Sequence, residues 1–134
     1  MGNCYIQVYA APFHWVAVHP METKADAHYS LGTLFPKVGV PRVIIPNNVQ
    51  ELTAGHFKKK AVRDGVAIHP IEVHTHNDNF AEHVIHELKR SYRRTMLAIN
   101  SPECLWDLCL QYVAAVRRHT ALSICDLEGK VPAI

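Results

Sequence analysis

No apolar run in this chain approaches the roughly 20 residues that a membrane-crossing helix needs. Runs such as Val43-Ile44-Ile45 are only a few residues long. The opening Met1-Gly2-Asn3-Cys4 lacks the basic segment and apolar stretch of a secretory signal peptide. Gly2 is not followed by the Ser or Thr that an N-myristoylation signal wants. These absences predict an intracellular protein, cytoplasmic or nuclear, with no membrane partner. There is no CxxC pair among Cys4, Cys104, Cys109 and Cys125, so the cysteines are expected to be reduced. GxGxxG, P-loop and GxSxG patterns are also missing, which removes the footing for nucleotide-binding and serine-hydrolase readings. Neither basic nor acidic side chains dominate: 14 against 12 leave a formal +2.

What is present fits one globular domain over residues 1–134. The 134 residues are 49% hydrophobic and 19% charged, and a chain of this length can bury a core. Ten histidines are many for that length. Cys4 to Ala10 alternates and carries β-formers, and His14 to Met21 reads as its antiparallel partner. Thr23 with Asp26 is an N-cap pattern for a helix to about Phe35, closed by Gly39 and Pro41. Arg42 to Ile45 reads as a short buried strand of a parallel sheet. Asn48 and Glu51 pattern as a cap for a helix from Val49 to about Arg63. Asp64-Gly65 breaks the chain before a strand over Val66 to Val73. A polar loop leads to a long helix from Phe80 to about Ile99, and Ser101-Pro102-Glu103 opens a last helix to about His119. The order ββαβαβαα predicts an α/β sheet with packed helices.

The long helix is the most informative element. Ala81, Val84, Ile85, Leu88, Tyr92, Met96 and Ile99 recur at spacings of three and four and form one apolar stripe. Glu82, His86, Lys89 and Arg93 share a second face, roughly a quarter turn away. Arg90 and Arg94 lie further round. A carboxylate near the helix start is thus followed by a ladder of cations. Lys58, Lys59, Lys60 and Arg63 make a second basic run on the preceding helix. Two readings stand side by side: solvated faces with i, i+4 pairs, or a phosphate-contacting surface next to a former metal ligand.

The order of elements and several motifs resemble the integrase core of copia-like retrotransposons, within the ribonuclease-H-like fold. The residues carrying this are Gly39-Val40-Pro41, Ile45-Pro46-Asn47-Asn48-Val49-Gln50-Glu51, Phe57-Lys58, Thr75 to Glu82 (THNDNFAE) and Glu87-Leu88-Lys89-Arg90. Leu105-Trp106 and Thr120-Ala121-Leu122 extend the match, which spans roughly residues 4 to 122. The resemblance implies a mixed sheet with flanking helices and metal-dependent DNA strand transfer. In such enzymes three carboxylates hold two Mg²⁺ or Mn²⁺ ions that clamp the attacking and leaving oxygens. Carried over, Glu82 is the third carboxylate and Asn47 stands where the second Asp belongs. The 34 residues between Asn47 and Glu82 are one fewer than the family's spacing. The first acid would lie on a central strand before Cys4, and no Asp or Glu precedes Glu22. The resemblance therefore implies a core truncated at its N-terminus, lacking its first central strand and inactive as written. It implies open sheet edges through which copies associate.

Three alternatives accompany that reading. A non-catalytic nucleic-acid-binding module would use Lys58, Lys59, Lys60, Arg63, His86, Lys89, Arg90, Arg93 and Arg94 on DNA or RNA phosphates. A pseudogene product would have no function at all. A histidine metal site would draw on His74 and His76, an HxH pair near His83, His86 and Asp78, against surface histidines without a role. Cys104, Trp106, Leu108, Cys109, Tyr112 and Val113 read as core of the last helix.

Overall fold

The computed structural model describes residues 2–11, 15–46, 52, 55–69 and 80–119. The elements in chain order are β1 (Tyr5–Ala11), β2 (Trp15–Met21), a 3-10 turn (Lys24–Asp26), α1 (Ala27–Val38) and β3 (Val43–Ile44). Then come α2 (Gly55–Arg63), β4 (Ala67–Ile68), α3 (Phe80–Ala98), a second 3-10 turn (Glu103–Leu105) and α4 (Trp106–His119). This is the α/β order expected from the sequence. The described residues fall into two compact units, one holding 2, 8–20 and 80–119, the other 3–7 and 21–69.

In the first unit, α3 packs on α4. Val84 and Leu88 are the fully buried positions of α3, and Cys109, Leu110, Val113 and Ala114 those of α4. Both sets recur at helical spacing, so each helix buries one stripe. Val16, Ala17 and Val18 of β2 are buried too. Arg118 Nη1 donates to the Val16 carbonyl at 2.9 Å, tying the end of α4 to β2. Tyr9 meets His19 edge-on across the hairpin, with ring centroids 5.6 Å apart.

In the second unit, the Asp26 carboxylate accepts from the Thr23 backbone N–H at 2.9 Å and from its hydroxyl at 2.8 Å. This is the cap the sequence signals. It opens a 3-10 turn that runs into α1. The helix continues past Phe35 through Pro36 to Val38, longer than expected. Gly39, at φ 85°, then closes it, its N–H donating to the Phe35 carbonyl at 2.8 Å. α1 packs on α2, burying Ala27, Ser30, Leu31 and Leu34 on one side and Phe57 and Ala61 on the other. Ser30 turns its hydroxyl onto the Ala27 carbonyl, so the buried oxygen is satisfied. α2 ends in a Schellman motif: Val66 N–H donates to Ala61 C=O and Gly65 N–H to Val62 C=O. Gly65 sits at φ 83°, where a side chain is strained.

Each strand has one strand partner among the described residues. β1 pairs with β2, and the Cys4 N–H to Met21 C=O bond joins the start of one to the end of the other, as antiparallel pairing requires. β3 pairs with β4 in parallel, Val43 opposite Ala67 and Ile44 opposite Ile68. The described strands thus form two separate two-stranded sheets.

Several expectations need correction. The Arg42 to Ile45 segment has the expected parallel partner but is not buried: Val43 and Ile45 are exposed. Among the described residues β3 and β4 pair over two residues each, a ladder that buries little side-chain surface. Pro102 occupies the N-cap of the second 3-10 turn rather than the first helical position. Cys104, Leu108 and Tyr112 are exposed, whereas Cys109 and Val113 are buried. α4 carries two apolar stripes, and only one turns inward. The proposed cap pair Asn48 and Glu51, and the far end of the strand after Asp64-Gly65, lie outside the described residues.

Candidate functional site

α3 presents the candidate site. Its nineteen residues contain neither Gly nor Pro and are rich in Ala, Glu, Leu, Lys and Arg, which favour the helix. Thr95 bonds its hydroxyl back to the Ser91 carbonyl at 3.0 Å. The helix closes with the same Schellman pattern as α2. Asn100 N–H donates to Leu97 C=O and Ser101 N–H to Met96 C=O, with Asn100 at φ 48°. Asn tolerates this left-handed conformation better than other residues with a side chain.

Val84 and Leu88 face inward while Ala81, Ile85, Tyr92 and Met96 are half-buried. The expected inward stripe therefore holds, except for Ile99, which is exposed. Glu82, His86, Lys89 and Arg93 are all exposed. At 100° per residue they fall within a sector of about 60°, and they extend over about 16 Å of the axis. Arg90 and Arg94 are exposed beside them. Glu82 lies in the first turn, where a carboxylate also favours the positive end of the helix dipole.

The charges toward α4 have another use. Arg117 Nη2 meets Glu87 Oε2 at 2.7 Å, and His83 Nε2 lies 3.5 Å from Glu87 Oε1. This bridge escaped the sequence reading, because no local spacing relates Glu87 to Arg117. Cys109 Sγ lies 3.8 Å from the Tyr92 carbonyl, and burial pushes its thiol pKa up.

On α2, Lys58, Lys59 and Arg63 are exposed. Lys60 is half-buried and pairs with Asp64, just past the end of α2, at 3.3 Å, so part of its charge is answered locally. The two basic helices belong to different compact units. Asn47, His74, His76 and Asp78 lie outside the described residues. Among the described residues, no group of three or more His, Cys, Asp or Glu is placed to hold one metal ion. A pair of Mg²⁺ or Mn²⁺ ions asks for several anionic oxygens. Of the three expected positions, only Glu82 lies among the described residues.

No family model matches this chain, and no curated protein does. Solved structures do match, and they define the class: the fold is α/β and like that of an integrase catalytic core. A chain in the cryo-electron-microscopy structure of a simian T-cell lymphotropic virus intasome, in complex with PP2A regulatory subunit B56 gamma, matches with a TM-score of 0.77. The identity is 17%, over 95% of this chain and 46% of that one, so this chain spans under half its length. The HTLV-2 integrase catalytic core domain, in complex with magnesium and in a trimeric form, matches with a TM-score of 0.68. There the identity is 12%, over 96% of this chain and 89% of that one. No described helix is long and apolar enough to cross a membrane.

Proposed function

We propose that this chain is a copia-like retrotransposon integrase core of the ribonuclease-H-like class that retains nucleic-acid binding and lacks strand-transfer activity as written. The observation that carries the reading is the exposed face of α3. On a fold like an integrase catalytic core, Glu82 heads a solvent-facing row formed by His86, Lys89 and Arg93, with Arg90 and Arg94 alongside. Such a row contacts phosphates without reading bases, so it positions a strand and carries little sequence preference. Lys58, Lys59, Lys60 and Arg63 add a second basic surface on α2, with Lys60 the weakest contributor because Asp64 holds it.

The chemistry is a separate matter. In-line displacement at phosphorus needs two metal ions to neutralise charge on the attacking and leaving oxygens. Asn47 supplies a neutral carboxamide where an anion is needed, which leaves part of that charge unanswered beside Glu82. The resemblance to an integrase core also implies association between copies through sheet edges.

The test uses the purified chain with labelled duplexes of unrelated sequence. Fluorescence anisotropy should give similar affinities for all of them, and a nicking assay with Mg²⁺ or Mn²⁺ should give no product. Metal-dependent nicking that disappears in Glu82→Gln overturns the inactive reading. Absence of binding to any duplex or single strand at low salt overturns the binding reading.

A further inference from the structure

The compact unit of α1 and α2 contains a pair of histidines that the reading above leaves unused. His28 stands in the first turn of α1 and His56 in the first turn of α2. Their ring centroids are 5.4 Å apart, with the planes inclined by 40°. The pair therefore links two helices that pack on each other, although 27 residues lie between them in sequence. No spacing rule would have linked them.

From these rings we infer a binding site for a borderline transition-metal ion, of the Zn²⁺, Ni²⁺ or Cu²⁺ class, between His28 and His56. Three observations support it. The first is the separation. A metal held at 2.0–2.1 Å from an imidazole nitrogen lies about 3 Å from the ring centroid, so two imidazoles on one tetrahedral ion sit about 5 Å apart. The observed 5.4 Å is that distance within the play of two side chains. The second is the tautomer. His28 Nδ1 lies 2.8 Å from the Ala25 carbonyl, which accepts only from an N–H. Nδ1 thus carries a proton, and in the neutral tautomer this fixes, Nε2 is the nitrogen with the lone pair. A backbone carbonyl on the far nitrogen is the usual way a ligating histidine is oriented. The third is support and access. The Tyr29 ring lies 3.9 Å from the His28 ring and braces it, while His56 is exposed.

The site has two protein ligands among the described residues, since no third His, Cys, Asp or Glu joins such a cluster there. Water would complete the coordination. Two imidazoles and water suit Cu²⁺ best, then Zn²⁺ and Ni²⁺, and do not suit Mg²⁺, which prefers oxygen. The ion would clip α1 to α2 and stabilise that unit in proportion to its occupancy. The site is independent of Glu82 and of any integrase chemistry.

The experiment titrates Zn²⁺ and Cu²⁺ into the full chain, following thermal midpoint and calorimetric heat, with Mg²⁺ as the control. Zn²⁺ should raise the midpoint by a few degrees at saturating metal, and Mg²⁺ should not. His28→Gln and His56→Gln should each weaken Zn²⁺ binding at least about tenfold, while the His83→Gln/His86→Gln double variant keeps it. A variant that failed to fold would not decide the matter, so the intact chain is also treated with diethyl pyrocarbonate and mapped by mass spectrometry. Zn²⁺ should shield His28 and His56 together. Equal modification of both rings with and without Zn²⁺ overturns the site. So does a midpoint shift that survives both single variants and is lost only in His74→Gln/His76→Gln.

Discussion

The two helix pairs of this molecule are closed by different chemistry. α3 and α4 share an apolar seam bridged by a full ion pair, Glu87 with Arg117 at 2.7 Å. α1 and α2 share an apolar seam too, but the groups that meet across it are two imidazole rings. A seam closed by opposite charges is already complete. One where two imidazoles meet offers nitrogen donors instead. The outward faces invert the contrast: α3 shows solvent a row of cations, whereas α4 shows Leu108, Tyr112 and Val116, the first two 57% and 60% exposed. Leu108, Tyr112 and Val116 are spaced i, i+4, i+8 and form one face.

The largest effect tests whether the two seams are equivalent in their cores. Leu31 in α1 and Leu88 in α3 are 0% and 1% exposed. Leu31→Ala and Leu88→Ala should each cost about 2–5 kcal/mol in urea unfolding. A loss below about 1 kcal/mol at either site would show that seam to be loosely packed.

Next come the two helix ends that share one hydrogen-bond pattern. Gly65 closes α2 and Asn100 closes α3, both at positive φ. Gly65→Ala should destabilise by about 1 kcal/mol, and Asn100→Gly should be neutral or stabilise by up to about 1 kcal/mol. A Gly65→Ala chain as stable as the parent would mean the turn has another conformation available.

The bridge between α3 and α4 should matter less than its short distance suggests. Both partners are partly exposed, at 21% and 38% of their side chains, so solvent screens the pair. Glu87→Gln should cost about 1 kcal/mol or less, and the cost should shrink in 1 M salt. An undiminished effect at high salt would locate the loss in packing instead of charge.

The smallest effect is confined to acid. Hydrogen bonds from the Thr23 hydroxyl and N–H hold the Asp26 carboxyl below the usual carboxylate range. A depressed folded pKa contributes stability above the unfolded pKa, and that contribution is lost as pH falls through the folded value. Asp26→Asn should therefore narrow the stability difference between neutral pH and the region below about pH 4, relative to the parent. Parallel acid limbs for the two chains would discard the cap as its cause.

Much of this was legible in the sequence, for identifiable reasons. The six apolar positions from Ala81 to Met96 repeat without interruption, so the inward face of α3 followed from spacing alone; Ile99, just past its end, is exposed. Gly65 and Gly39 announced their turns because only glycine sits there without strain. Thr23 and Asp26 announced the cap. α4 was harder: periodicity groups Leu108 with Tyr112 as readily as Leu110 with Val113, and only packing decides which stripe turns inward. Asn100 gave no sign, being a left-handed residue without the usual glycine. Pro36 within α1 ran against the helix boundary that sequence rules set. The cation row of α3 was legible as a face, and its exposure is now visible. The bridges Glu87–Arg117 and His28–His56 join distant segments and had no local signature.

The most direct test of the account is the salt dependence of nucleic-acid binding by the parent and by a Lys89→Ala/Arg90→Ala/Arg93→Ala/Arg94→Ala chain. The parent should lose affinity steeply as salt rises. The variant's log–log slope should be shallower by about 4, close to one unit per cation removed. A flat dependence in the parent, or an unchanged slope in the variant, would contradict the claim that α3 is the surface that meets nucleic acid.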